Sequence, residues 1–219
     1  MVLHVIVHSF ASKPVAPRWN YGRSSSNART RIGFSYSFLG KKVMYYVVQV
    51  KTGKEDKMIK DILDHNSGKS PIDVFSPYRE ALRKYKGEVR KVKERCFPGY
   101  VFVETDDVNT LFIDLYYTPG FTRLLGREEG TYHFVPLNKE EARMVEILYN
   151  RNNNRTTEIS DIEVVEGDTI RILSGPLMDM KGKIKQVNLH KRFVTAEIPL
   201  FDRMAEVKLG INIITKVER

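Results

Sequence analysis

The chain of 219 residues has one cysteine, Cys96, and one tryptophan, Trp19. A lone cysteine excludes an internal disulfide and a thiolate-rich metal site, and it suits a reducing compartment. Cys96 sits beside Phe97, which reads as a small buried hydrophobe. No run approaches the roughly 20 apolar residues that cross a bilayer, so a soluble protein with no membrane partner is expected. The histidines His4, His8, His65, His133 and His190 are scattered, and only His4 and His8 fall at ligand spacing. No cofactor and no metal are expected. No Ser, His and carboxylate spacing suggests a nucleophile. The acid pairs Asp106-Asp107 and Glu128-Glu129 read as cap and turn residues. Gly68-Lys69-Ser70 lacks the glycine of a phosphate-binding loop, with Leu63 in its place, and it follows a helix rather than a strand. An enzyme is not expected.

Acidic residues are missing from 1–43, which carry seven Lys/Arg, whereas 44–150 carry 17 charges of each sign. The net charge of +9 therefore comes mainly from the front of the chain, not from the body. This Ser- and Arg-rich stretch has no period of helix or strand. Transit peptides and basic arms share that composition. The favoured reading is an unstructured extension ahead of a native start at Met44.

Beyond Met44 the pattern sharpens. A strand is expected at 45–50, then a helix to about Asn66 opened by a Thr52/Glu55 capping box, with Met58, Ile59, Ile62 and Leu63 on one face. Strands at 74–78 and 89–93 flank a charged excursion with its tip at Lys86-Gly87. Its cations are Arg79, Arg83, Lys84, Lys86, Arg90, Lys91, Lys93 and Arg95, interrupted by Glu80, Glu88 and Glu94. A solvated hairpin and a DNA-facing surface both fit. Asp106-Asp107 caps a short helix, 121–125 is a strand, and a further helix follows Asn138. The polar stretch 151–163 reads as a linker. Short strands near 169–173, 183–188, 193–198, 203–209 and 211–215 indicate a small all-β barrel over 164–219. The expected fold is α+β, an antiparallel sheet with packed helices followed by an SH3-like barrel.

The most informative run is Arg95-Cys96-Phe97-Pro98-Gly99-Tyr100-Val101-Phe102-Val103-Glu104. Pro98-Gly99 punctuates a turn, and the strand after it is apolar on both faces. Either the chain covers both faces, or the aromatic one serves a partner. The run resembles the FPGY signature of NusG-type transcription elongation factors. The resemblance extends to Met44-Tyr45-Tyr46-Val47-Val48-Gln49-Val50 and to Tyr117-Thr118-Pro119-Gly120-Phe121-Thr122-Arg123-Leu124-Leu125-Gly126. It continues in Glu166-Gly167-Asp168-Thr169-Ile170-Arg171-Ile172-Leu173-Ser174-Gly175-Pro176-Leu177, which looks like the opening of a KOW module. Within the family, the ending from Leu200 to Leu209 resembles the LoaP antiterminators.

The resemblance implies a monomeric bacterial cytoplasmic adaptor, associated with the nucleoid through RNA polymerase. It would dock residues 44–150 on the clamp helices through Phe97, Pro98, Tyr100, Phe102, Phe121 and Leu124. Non-template DNA is a possible further partner. Asn109-Thr110-Leu111-Phe112 departs from the HTT motif by which some paralogues touch the polymerase gate. In the barrel, Lys181, Lys183 and Lys185 alternate as on one strand face, and His190-Lys191-Arg192-Phe193 makes a basic tip with an aromatic. The implied role for Lys183, Lys185, His190, Lys191 and Arg192 is to hold an RNA hairpin of an operon leader, where general NusG barrels contact Rho or a ribosomal protein. The chemistry fits, since cations grip phosphates and planar groups stack on unpaired bases. An exposed edge kept soluble by lysines fits equally. Gly182 is expected at a backbone turn that a Cβ would block.

Overall fold

The computed structural model describes residues 36–38, 41–65, 73–126, 131, 133–150, 153, 155–165, 170–201 and 203–216. The Gly68-Lys69-Ser70 and Glu128-Glu129 stretches lie outside them. Strand β1 (Tyr36–Phe38) forms a hairpin with β2 (Lys41–Val50), so regular structure begins upstream of Met44, inside the stretch expected to be unstructured. β2 pairs with β6 (Tyr100–Thr105), β6 pairs with β3 (Asp73–Phe75), and β7 (Phe121–Leu124) pairs with β2.

Strand alternation divides the side chains of β2 and β6 between two apolar clusters. Tyr46, Val48, Val101 and Val103 meet Met58 and Ile62 of α1 (Glu55–His65), and Leu111 and Leu115 of α2 (Val108–Tyr116). Tyr45, Val47 and Phe102 join Phe75 against Val145, Leu148 and Tyr149 of α3 (Lys139–Tyr149). Both faces are thus covered by the chain itself. Each wholly buried Val, Leu or Phe contributes about 1.5–3 kcal/mol relative to exposure.

Two of the three expected helix starts form as read. The Asp107 carboxylate accepts from Thr110 N–H at 3.0 Å. Asn138 and Glu141 make a reciprocal capping box at α3. The Thr52/Glu55 box does not form, because the Glu55 carboxylate turns inward and accepts from Gly99 N–H at 2.7 Å.

The charged excursion is a two-stranded ribbon, β4 (Tyr78–Tyr85) with β5 (Glu88–Arg95), closed at Lys86 and Gly87, both at positive φ (49° and 88°). The expected linker is largely structured where described. β8 (Thr156–Thr157) pairs in parallel with β4. β9 (Ser160–Val164) belongs to the barrel sheet, whose order is β10 (Ile170–Ile172), β9, β13 (Arg203–Lys216), β12 (Phe193–Leu200), β11 (Ile184–Asn188). The strands expected at 203–209 and 211–215 are one, continuous through Gly210. A 3₁₀ segment, Pro176–Lys183, precedes β11.

The described residues from Tyr36 onward belong to one compact unit. Phe201 N–H, in the β12–β13 turn, donates to Glu141 at 2.6 Å. A Cβ at Gly210 would lie 2.5 Å from the Glu80 carbonyl oxygen, so β13 and β4 pack as close as glycine allows.

Candidate functional site

The Arg95–Gly99 turn is fixed from three sides. Gly99 has φ +87° and its N–H is held by Glu55. The Arg95 guanidinium lies 4.6 Å from the Tyr78 ring centroid and pairs with Asp56, whose pKa is lowered chiefly by that hydrogen bond. Cys96 is buried with its sulfur 3.8 Å from the Thr157 hydroxyl, and burial pushes its thiol up to about 12. The thiol is accordingly an inert core group. Native protein is expected to resist iodoacetamide at pH 8 while unfolded protein labels quickly, and rapid native labelling would contradict this burial. The folded pKa exceeds the unfolded value, so this group's stabilisation is complete below about pH 9 and is lost as pH rises towards 12.

This turn presents Pro98 to solvent and leaves Tyr100 half-buried. Phe102 is wholly buried, its ring 5.7 Å from Phe75 and 5.4 Å from Phe97, while Phe75 stacks on Tyr149 at 3.6 Å. Phe97 is buried in the same cluster. Phe121 and Leu124 belong instead with the α1/α2 cluster across the sheet. The six residues expected to form one pocket are therefore divided between two faces. Of these six, Pro98 is the one exposed residue. The Asn109–Phe112 stretch is helix α2, with the Thr110 hydroxyl donating to Asp107 at 2.6 Å and Leu111 buried.

In the barrel, Lys183 ends the 3₁₀ segment and pairs with Glu140 of α3. Lys185 lies on β11 and pairs with Glu197 and Glu206 at 2.7 and 2.8 Å, contacts that raise its pKa. The expected single-strand row of lysines is thus not formed, because proline and glycine favour the tighter turn before β11. The Lys181 side chain lies outside the described residues. His190 and Lys191 are exposed at the β11–β12 tip, and Arg192 holds φ +55° beside them. Lys208 places its ammonium 5.2 Å from the Phe193 ring centroid, a tip cation that sequence reading missed. Its signal was the register that sets Phe193 opposite Gly210, two residues from Lys208, on one face. Gly182 has open space around a would-be Cβ, so its expected steric role falls to Gly175. That residue has φ +87°, with Ser160 2.7 Å from a would-be Cβ.

The chain matches two known modules in this order. A family model described as transcription termination factor nusG matches residues 44–146, from within β2 to near the end of α3. A KOW motif model matches 166–198, from before β10 to within β12. These matches support the NusG family. Among curated relatives, the transcription termination/antitermination protein NusG of Staphylococcus carnosus is 27% identical over 177 residues, 79% of this chain and 95% of that protein. The NusG of Streptococcus pyogenes serotype M1 is 24% identical over 169 residues, 75% of this chain and 92% of that one. A solved structure described as domain interaction in Thermotoga maritima NusG is similar at TM-score 0.45 and 21% identity, covering 77% of this chain and 94% of that one. The NusG-type half carries the fixed Arg95–Gly99 turn, and the KOW half carries the basic tip. Among the described residues, no helix is long and apolar enough to cross a membrane, and no group of His, Cys, Asp and Glu is arranged to hold a metal.

Proposed function

We infer that this chain is a NusG-like processivity factor that binds RNA polymerase through residues 44–150 and promotes read-through of terminators. The observation that carries this reading is the order of the two matched modules, in relatives named for termination and antitermination. In this reading the contact is narrower than the six residues implied by the resemblance. With Phe102 and Phe97 in the core, docking falls to Pro98 and Tyr100 on a turn already rigid before binding, which lowers the entropic cost of association. A domain bound there and bridging the clamp to the opposite rim would oppose clamp opening and so resist pausing. Acting as a monomer, it would ride on polymerase in the bacterial cytoplasm. The decisive assay is in vitro transcription across a leader terminator. Added protein should raise read-through, and no change with any leader would overturn the reading.

In its LoaP-like form the proposal has the barrel tip take an RNA hairpin. If His190, Lys191 and Arg192 grip phosphates, affinity should fall steeply with salt. Arg192→Ala should then cost the full-length chain more for the cognate leader hairpin than for a scrambled one. Equal loss on both RNAs, or no RNA binding, would favour a second reading in which the barrel binds Rho or a ribosomal protein. One observation favours that rival: the carboxylates of Glu140, Glu197 and Glu206 already engage Lys183 and Lys185.

A further inference from the structure

Among the described residues, four buried side-chain atoms find no hydrogen-bond partner: Glu55 Oε2, Ser76 Oγ, Arg95 Nη1 and Thr195 Oγ1. Such an atom has given up its water and gained no bond, so each calls for a physical reason. Three of the four gather at one place. Glu55 Oε2 lies 3.6 Å from Arg95 Nε, and the Arg95 guanidinium pairs with Asp56. Glu55 and Arg95 thus have each other's charge. Ser76 has no such neighbour, although it is only 3% exposed. Together with Asp56, it lines a cavity of about 270 Å³ whose walls include Ile59 of α1, Phe75 of β3, Lys93 of β5 and Arg155. That volume is just below the roughly 300–1,000 Å³ usual for ligand pockets, so it suits a small molecule.

The charges around this cavity are compensated except for one. Asp73 takes Arg155 at 2.8 Å, and Arg95 takes Asp56. Glu80 stands directly opposite Lys93 in the β4–β5 register, yet its carboxylate pairs with Lys91 at 3.0 Å. Lys93 forms no ion pair among the described residues, and it lines the cavity instead. Arg155 is held in place under strain. Its φ is +58°, a region few residues other than glycine occupy, and its carbonyl accepts from Tyr78 N–H at 3.1 Å. Strain of this kind collects at ligand clamps.

We propose that this cavity binds a small monocarboxylic acid, its carboxylate held by the Ser76 hydroxyl and the Lys93 ammonium and its apolar body lying against Ile59 and Phe75. One uncompensated positive charge matches a single negative one, and a hydroxyl donor near it adds a charge-assisted hydrogen bond. The Asp56 carboxylate in the same wall weighs against a multiply charged anion such as phosphate. The site shares no residue with the Pro98/Tyr100 turn or the barrel tip, and it does not depend on either assignment.

The test is the melting temperature of the full-length chain with butyrate, benzoate, phosphate or butylammonium, at neutral pH and fixed ionic strength. Butyrate and benzoate should raise it, and the rise should grow with their concentration, as binding to the native state requires. Phosphate and butylammonium should leave it unchanged. In calorimetric titration, Ser76→Ala and Lys93→Gln should each weaken butyrate binding by about ten-fold or more, as for a lost hydrogen bond to a charged group. Without ligand, Ser76→Ala should melt at or above the parent's temperature, because it removes an unpaired buried hydroxyl, so its loss of binding is no loss of fold. Lys84→Gln, on the same ribbon face but nearer the tip, should bind butyrate as the parent does. A melting temperature that neither carboxylate raises, an equal rise with phosphate or butylammonium, or a Ser76→Ala chain that binds butyrate like the parent would each overturn the proposal.

Discussion

Phe102→Ala is expected to lower folding stability by about 3–5 kcal/mol, the range for emptying an aromatic core site. Phe102 has no exposed surface, its strand is paired on both sides, and its ring is packed by Phe75 and Phe97 beneath α3. Neighbouring backbone is hydrogen-bonded to β2 and β3, so little collapse can fill the void. Against a typical total of 5–15 kcal/mol, that loss moves the unfolding midpoint substantially. Tyr100→Ala, at a half-buried position, should cost far less. Urea denaturation followed by circular dichroism measures both. A Phe102→Ala cost below about 1 kcal/mol would show that the ring is not part of the core.

Glu141→Ala is the second large effect, and it acts on the contact between the two halves. This buried carboxylate accepts from Asn138 N–H at 2.8 Å, closing the α3 capping box, and from Phe201 N–H at 2.6 Å, holding the β12–β13 turn. Hydrogen bonds to charged groups contribute roughly 1.5–3 kcal/mol each, and a buried donor left unpaired adds its desolvation. The expected cost is about 2–4 kcal/mol, with faster amide exchange at Phe201. Neighbouring Glu140 makes only a partly exposed pair with Lys183, so Glu140→Ala should cost about 1 kcal/mol or less. Equal costs for the two variants would mean that Glu141 does not join the halves.

What could be read in advance was what is local. Alternation in β6 gave both apolar faces, and Asp107 and Asn138 announced their helices through side chains that bond within three residues. Lys86-Gly87 marked the ribbon tip. Long-range competition decided the rest. Glu55 had a local use at its own helix start, yet Gly99, 44 residues away, claims its carboxylate. The stretch 151–163 is polar, which suggests a linker, but Thr157 donates its hydroxyl to the Leu148 carbonyl at 2.6 Å and Ser160 accepts from Leu177 N–H at 3.1 Å. Buried hydroxyls paired in this way look the same in sequence as solvated ones. The candidate docking residues were found by resemblance, which cannot separate a ring that faces a partner from one that faces α3. Lys208 was missed because its relation to Phe193 exists only across the β12–β13 register.

The most direct test of the central claim is equilibrium binding of the full-length chain to immobilised bacterial core RNA polymerase, with Tyr100→Ala run in parallel. The account predicts saturable binding by the parent chain. It also predicts a loss of about ten-fold or more in the variant, as for an aromatic interface anchor, with its melting temperature nearly unchanged. A parent chain that does not bind polymerase, or a Tyr100→Ala protein that binds as tightly as the parent, would contradict it.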